Sequence, residues 1–150
     1  MPPTWLIAAS VDKKGRLKFP SLALQYWRSQ GNPKLFVTSL DRRVGRVYAA
    51  ADWWKKVEVL SAPGPNAAKA NGPLFHAIDL GEEVEIDSEG RVLLPSNMRR
   101  ELGLEDSQVW LYLKRGRIDI LSASVYEARK REAMVNIEAN LAELENEGYL

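Results

Sequence analysis

Basic side chains beside two copies of one turn motif are the residues of this chain best suited to bind an anionic partner. Residues 11–20 read VDKKGRLKFP and residues 86–95 read IDSEGRVLLP, so both fit apolar-Asp-x-x-Gly-Arg-apolar-x-apolar-Pro. Arginine can bind guanine through two parallel hydrogen bonds, and lysine neutralises phosphate. The candidate contacts to double-stranded DNA are Arg16, Arg91, Lys13, Lys14, Lys18 and Arg99.

Each motif also contains the residues of a tight turn followed by a half-buried strand. Aspartate bonds its own backbone two residues on, and glycine adopts positive φ at no steric cost. Alternating apolar residues then predict a strand, which the proline ends because it cannot donate to a sheet ladder. The serine after each proline, Ser21 or Ser96, is predicted to cap a helix. The motif positions predicted to form the turns are Asp12, Gly15 and Pro20 in the first copy and Asp87, Gly90 and Pro95 in the second.

The spacing alone leaves a second interpretation of the motif arginines open. Arg16 and Arg91 could pair with Asp12 and Asp87 and do no more than fix the two turns. Two further groups of cations surround other predicted turns and offer alternative surfaces for DNA: Arg42, Arg43 and Arg46, and the segment Arg115–Arg117.

Catalytic and metal-binding chemistry is poorly represented. The chain has no cysteine, and its single histidine, His76, follows Phe75, where a surface or packing role is more plausible than that of a general base. The acidic residues between Glu82 and Glu89 would alternate between the faces of a strand, which favours a solvated surface over a cation site. We therefore predict no catalytic residue, no metal site, no cofactor and no small-molecule substrate.

The distribution of charge divides the chain into a basic body and an acidic tail. Residues 1–137 contain 21 basic and 16 acidic residues, whereas residues 138–150 contain four glutamates and no cation. The composition, 45% apolar and 27% charged, is that of a globular protein. No apolar run reaches the roughly 18–20 residues that span a bilayer, so we expect a cytoplasmic protein without a membrane partner.

The two motifs lie in two longer repeats, each predicted as strand–turn–strand–helix–strand–turn–strand–helix. The predicted division is a first repeat at 1–60, a linker rich in proline, glycine and alanine at 61–74 with room for one helical turn at 66–70, and a second repeat at 75–150. In this scheme 75–86 leads as a strand into the second turn, and the first half carries an insertion at 41–44. Residues 124–147 are predicted to continue as one long helix, whose apolar stripe must fold back or pair with another subunit.

Taken together, the doubled motif and the helix and strand pair that follow each copy resemble the MraZ family of SpoVT/AbrB-like proteins. The resemblance covers approximately residues 5–135 and includes Trp54 in the first-half helix. It implies an α+β, β-rich swapped-hairpin barrel built from two internal repeats. It also implies ring-like homo-oligomers that bind direct DNA repeats and repress division and cell-wall genes, with Arg16 and Arg91 facing the DNA.

The chain departs from the family pattern in its first half. The family usually has an arginine four residues after the motif proline; Arg99 occupies that position in the second half, but Leu24 stands there in the first. Thr38 and Ser39 replace an often basic position, and the insertion at 41–44 is unusual. Two functions follow as hypotheses: a nucleoid-associated DNA-binding regulator, or an oligomeric protein-interaction scaffold that has lost affinity for DNA. An enzyme is a remote third.

Overall fold

The computed structural model describes residues 4–150 as one eight-stranded antiparallel sheet, curved into a nearly closed barrel, with six helices. The strands are β1 (Trp5–Val11), β2 (Arg16–Lys18), β3 (Leu35–Ser39), β4 (Gly45–Ala49), β5 (Glu82–Val84), β6 (Arg91–Leu93), β7 (Ser107–Lys114) and β8 (Arg117–Leu121). The helices are α1 (Ser21–Ser29), α2 (Ala50–Ser61), α3 (Ala67–Leu80), α4 (Ser96–Leu102), α5 (Ala123–Met134) and α6 (Ile137–Asn146). None of these helices is both long and apolar enough to cross a membrane.

The strand order shows that the two halves exchange their first hairpins. In the order β5-β3-β4-β8-β7-β1-β2-β6, β1 pairs with second-half β7 and β5 pairs with first-half β3. Leu17 lies opposite its repeat equivalent Val92, and Val47 lies opposite its equivalent Ile118. A pseudo-twofold axis therefore relates the halves, and the predicted swapped-hairpin barrel is confirmed.

The apolar positions of the two motifs build the middle of the core. Leu17 and Phe19 from the first copy, and Val92 and Leu94 from the second, are at most 1% exposed. Burying such a side chain contributes about 1.5–3 kcal/mol. The intervening Lys18 and Leu93 are exposed, as the alternation predicts. The same residues that define the repeat thus hold its two copies together.

Much of the predicted linker is helical. Helix α3 begins at Ala67, continues through Pro73 and ends at Leu80, so the predicted strand at 75–86 is wrong over its first half. Ala70, Ala77 and Leu80 give this helix a buried face that the flanking glycine and proline obscure in the sequence. The strand β5 that remains covers only three residues. The division into 1–60, 61–74 and 75–150 stays a prediction.

The predicted single C-terminal helix is divided into two helices, α5 and α6. Asn136 takes a left-handed conformation (φ 56°) between α5 and α6, which breaks the predicted continuous helix at 124–147. Of its predicted stripe only Val125 is buried. Asparagine tolerates this backbone region better than most residues, and no proline or glycine announces the break.

The predicted serine caps of the helices after the motifs are wrong. Pro20 and Pro95 hold the N-cap positions, Ser21 and Ser96 are the first helical residues, and neither cap makes a side-chain hydrogen bond. The extended backbone of each proline is already suited to the residue before a helix. Ser122, by contrast, caps α5 by accepting a hydrogen bond from the backbone of Val125.

Candidate nucleic-acid interface

The first motif forms a tight turn centred on the carboxylate of Asp12. This carboxylate accepts hydrogen bonds from the backbone N–H groups of Lys14 and Arg16, each at 2.9 Å, and from Arg16 Nε at 3.1 Å. Gly15 has a φ of 83°, a conformation that strains any residue with a Cβ. The backbone hydrogen bond from Arg16 is the main reason that the pKa of Asp12 lies below its ordinary value.

The second motif repeats this backbone geometry. Asp87 accepts hydrogen bonds from the backbone of Glu89 and Arg91 at 2.9 Å and from Arg91 Nε at 3.1 Å. Gly90 has a φ of 77°. The pKa of Asp87 is lowered, again chiefly by the backbone hydrogen bond from the motif arginine. The predicted aspartate–arginine pairs therefore both exist, and each uses one guanidinium nitrogen.

The remaining nitrogens of the two arginines differ in their surroundings. Arg91 Nη2 also forms an ion pair with the carboxylate of Glu89, two residues before it. The repeat equivalent of Glu89 is Lys14, so the first turn has no such carboxylate. Among the residues that the structure describes, the terminal nitrogens of Arg16 donate no hydrogen bond, which leaves them available to a partner.

Each turn is completed by the other half of the chain. A Cβ at Gly15 would lie 1.7 Å from Nη1 of Arg99, so the Arg99 guanidinium covers the first turn. At Gly90 the same position is occupied by Leu24, the repeat equivalent of Arg99, at 3.0 Å. The carbonyl of Gly15 accepts a hydrogen bond from the backbone of Leu94 at 3.0 Å, and the carbonyl of Gly90 accepts the equivalent bond from Phe19. The departure at Leu24 therefore changes the second turn, although it lies in the first half.

Lys18 likewise belongs to the second turn. It lies opposite Arg91 across the β2–β6 pair, and its amino group donates to the carbonyl of Glu89. Its repeat equivalent beside the first turn is Leu93. Lys18 is thus separated from Lys13 and Lys14, with which the sequence grouped it on one hairpin.

Two pseudo-equivalent clusters result, and their charges differ. The first-turn cluster has four cations and one carboxylate: Lys13, Lys14, Arg16, Arg99 and Asp12. The second-turn cluster has two cations and two carboxylates: Arg91, Lys18, Asp87 and Glu89, with Leu24 above the glycine. Lys13 and Lys14 are exposed, and Arg16 is partly exposed. The first-turn cluster is the more basic by three charges.

Two of the three arginines of the alternative basic surface, Arg42 and Arg46, make hydrogen bonds within the protein, whereas Arg43 is exposed. Arg42 donates to His76 Nδ1 at 2.8 Å, to Asp79 at 2.6 Å and to Glu101 at 2.7 Å. The hydrogen bond to Asp79 is the main cause that raises the pKa of Arg42. Arg46 donates to the hydroxyl of Tyr48. The insertion at 41–44 thus joins α3 and α4 through Arg42, and His76 accepts one of its hydrogen bonds.

Arg99 is among the residues predicted to contact DNA, but the sequence does not show which turn it joins. Arg99 and Leu24 are equivalent in the two repeats, and each lies over the glycine of the other half. The pairing of β2 with β6, which brings the start of α4 to the first turn, is seen only in the structure. The role of Glu89 has a simpler signal, since it stands where the first copy has Lys14.

Residues 4–150 contain no cluster of three histidine, aspartate or glutamate side chains suited to hold a metal ion. Glu83 accepts a hydrogen bond from Trp54 at 2.9 Å, and Glu85 lies 3.9 Å from the amino group of Lys34. The acidic residues around the second turn are therefore distributed among separate partners.

Comparison with known proteins relates the whole chain to one family of regulators. A protein of Chromobacterium violaceum named transcriptional regulator MraZ is 31% identical over 138 residues, which cover 89% of this chain and 90% of that protein. The chain belongs to the MraZ family. The transcriptional regulator MraZ of Neisseria meningitidis is 28% identical over 129 residues, covering 83% of each chain. No model of a known protein family matches the chain.

A third relative matches more strongly over a shorter stretch. The transcriptional regulator MraZ of Acidobacterium capsulatum is 38% identical over 90 residues, which are 59% of this chain and 61% of that protein. This alignment thus spans less than two thirds of the relative's length. The resemblance that the doubled motif predicts is confirmed by these three proteins.

Proposed function

We propose that the protein is a sequence-specific DNA-binding transcriptional regulator whose main DNA contact is the first-turn cluster. The observation that supports this most is the concentration of four cations around one turn that is itself held rigid by Asp12. Relatives named as transcriptional regulators support the same class of function. The scaffold hypothesis remains as the alternative, with no observation in its favour beyond the departures in the first half.

The geometry suits a rigid, preorganised contact. Asp12 fixes Arg16 through the backbone and Nε, so the guanidinium loses little conformational freedom when it meets a base or phosphate. A two-stranded ribbon fits the major groove of B-DNA, and arginine recognises guanine there through O6 and N7. Lys13 and Lys14 at the exposed tip are placed to neutralise phosphates, while Arg99 adds a charge beside Gly15.

The finer features follow from the family resemblance. In this proposal the two repeats, 1–60 and 75–150, form one subunit of a ring-like homo-oligomer in the cytoplasm, associated with the nucleoid. Several subunits place several first-turn clusters on one duplex, so weak single contacts add by avidity on direct repeats. The proposed outcome is repression of genes for division and the cell wall.

A gel-shift assay with duplex DNA from upstream of the protein's own operon tests the proposal. We expect a complex that weakens steeply between about 50 and about 200 mM salt, because phosphate contacts release counterions. The double variant Arg16→Ala/Arg91→Ala should abolish it, whereas Arg129→Ala, on exposed helix α5, should not.

The possible results separate the two hypotheses. Equal binding by the double variant and the natural chain would move the DNA surface away from both turns. The absence of any complex at either salt concentration would favour the scaffold.

A further inference from the structure

Helix α6 carries an apolar stripe that the described part of the chain covers only partly. Ile137, Leu141 and Leu144 follow at intervals of four and three residues and therefore share one face of the helix. Leu141 is 42% exposed and Leu144 is 40% exposed, and the helix buries none of its residues. Its counterpart in the first half, α3, buries three. The stripe is thus free to contact a partner.

The same helix is strongly acidic. At 100° per residue, glutamates lie on both flanks of the stripe, and no lysine or arginine follows Arg131. A partner for this face must combine an apolar floor with cationic edges. The glutamates of α6 and its C-terminal extension are Glu138, Glu143, Glu145 and Glu147.

A groove of this composition lies between α2, α3 and the β7–β8 turn. Its volume is about 830 Å³, and its accessible apolar surface comes from Leu40, Val59, Leu60 and Pro73, with the buried rings of Tyr48 and Trp53 beneath. Asp52 is the one acidic residue among those that line it. The cations at its edges are Arg46, Lys55, Lys56, Lys69 and Arg115, whereas Arg117, which also lines it, is paired with Asp119.

We propose that this groove binds helix α6 of a second copy of the chain. The apolar stripe would cover the groove's floor, and the flanking glutamates would face its lysines and arginines. Groove and helix are different surfaces of the chain, so the contact is heterologous, and repeated head-to-tail contacts of this kind close into rings when the rotation allows. The inference rests on the proposed self-association and names its interface.

Two sets of charge-introducing substitutions separate the helix from the groove. Leu141→Glu/Leu144→Glu damages the stripe, and Lys55→Glu/Lys56→Glu damages the groove. All four side chains are exposed, so the barrel should keep its melting temperature and circular dichroism. Light scattering should show an oligomer for the natural chain and the mass of one chain for each variant. Ala139→Glu adds a charge on the opposite face of α6 and should leave the oligomer intact.

Mixing the two variants distinguishes this interface from other ways of assembling. The groove of the stripe variant and the helix of the groove variant are both intact, so a mixture has one functional interface and should form a dimer of one copy each. A mixture that stays monomeric would overturn the proposal, as would an oligomer that both variants retain. A natural chain that is monomeric at every concentration would refute self-association itself, whether or not the chain binds DNA.

Discussion

The two turns of this protein share one backbone and differ in charge. Asp12 and Asp87 accept the same three hydrogen bonds at the same distances, and both glycines take the same left-handed conformation. Yet the first-turn cluster has a charge of +3, from four cations and one carboxylate, while the second-turn cluster is neutral. Two turns with the same backbone geometry therefore need not bind the same partner.

The difference also shows how a swapped architecture separates a change in sequence from its structural effect. Arg99 and Leu24 occupy equivalent positions, but each lies over the turn of the other half. The leucine in the first repeat therefore removes a cation from the second turn and leaves the first turn complete. Three changes that lower positive charge, at Ser88, Glu89 and Leu24, meet at the second turn, whereas only Leu93, in place of Lys18, lies beside the first.

Exchanging the tip residues of the two turns should have the largest effect on DNA binding. Lys13→Ser/Lys14→Glu gives the first turn the residues of the second, and we expect DNA affinity to fall by roughly tenfold or more. The salt dependence should flatten by about 2 units of slope, because each lost phosphate contact removes about 0.9. Fluorescence anisotropy across a salt series measures both quantities.

The reciprocal exchange sharpens the same comparison. Ser88→Lys/Glu89→Lys should strengthen binding and steepen the salt dependence, since it adds cations and releases Arg91 from its ion pair. If both exchanges weakened binding alike, the asymmetry between the clusters would have no functional meaning. Melting temperatures of the two variants should match that of the natural chain, because the four side chains are exposed.

A smaller effect is expected from the residues that cover the two glycines. Arg99→Leu should weaken DNA binding by roughly three- to tenfold, about the loss of one or two charged contacts. Leu24→Arg adds a cation beside Glu89 and Asp87, where the existing carboxylates offset it, and should change affinity by less than about twofold. Anisotropy titrations of both variants, with thermal melts as the control, test this. A stronger effect at Leu24 would place the DNA surface at the second turn.

Local chemistry explains which parts of the fold could be predicted from the sequence. The doubled motif predicts both turns, the strands after them and their buried alternation, because aspartate, glycine and proline each restrict the backbone. The sequence predicts no more than one turn of helix α3, since Gly72 and Pro73 disfavour a helix, and the burial of Ala70, Ala77 and Leu80 favours it. Tertiary contacts outweighed propensity there.

The sequence predicts which residues belong to the candidate site, but not which of them lie at the same turn. The sequence identifies Arg16, Lys13 and Lys14 as neighbours because they share one turn. It cannot show that Arg99 lies beside them over Gly15, or that Lys18 instead contacts the carbonyl of Glu89, because these contacts cross between the repeats. The pairing of β2 with β6 determines both, and it joins strands that are far apart in the sequence.

The effect that we expect to be smallest is the pH dependence of folding stability, and it should be the same at both turns. Because the pKa values of Asp12 and Asp87 are lowered on folding, each carboxylate stabilises the fold above its unfolded pKa, about 3.9. This stability is lost as the pH falls through the folded value. Asp12→Asn and Asp87→Asn should therefore each lower the melting temperature at about pH 7, and the difference from the natural chain should shrink as the pH falls below about 3.9.

Thermal unfolding from about pH 3 to about pH 7 measures this, with Glu105→Gln as the control. Glu105 is exposed and makes no ion pair or side-chain hydrogen bond with the described residues, so its variant should follow the natural chain throughout. If the variants lowered the melting temperature equally at both ends of the pH range, the shape of the aspartate side chain rather than its charge would account for the effect. A large difference between the two asparagine variants would mean that the turns differ in backbone stability as well as in charge, because their hydrogen bonds are the same.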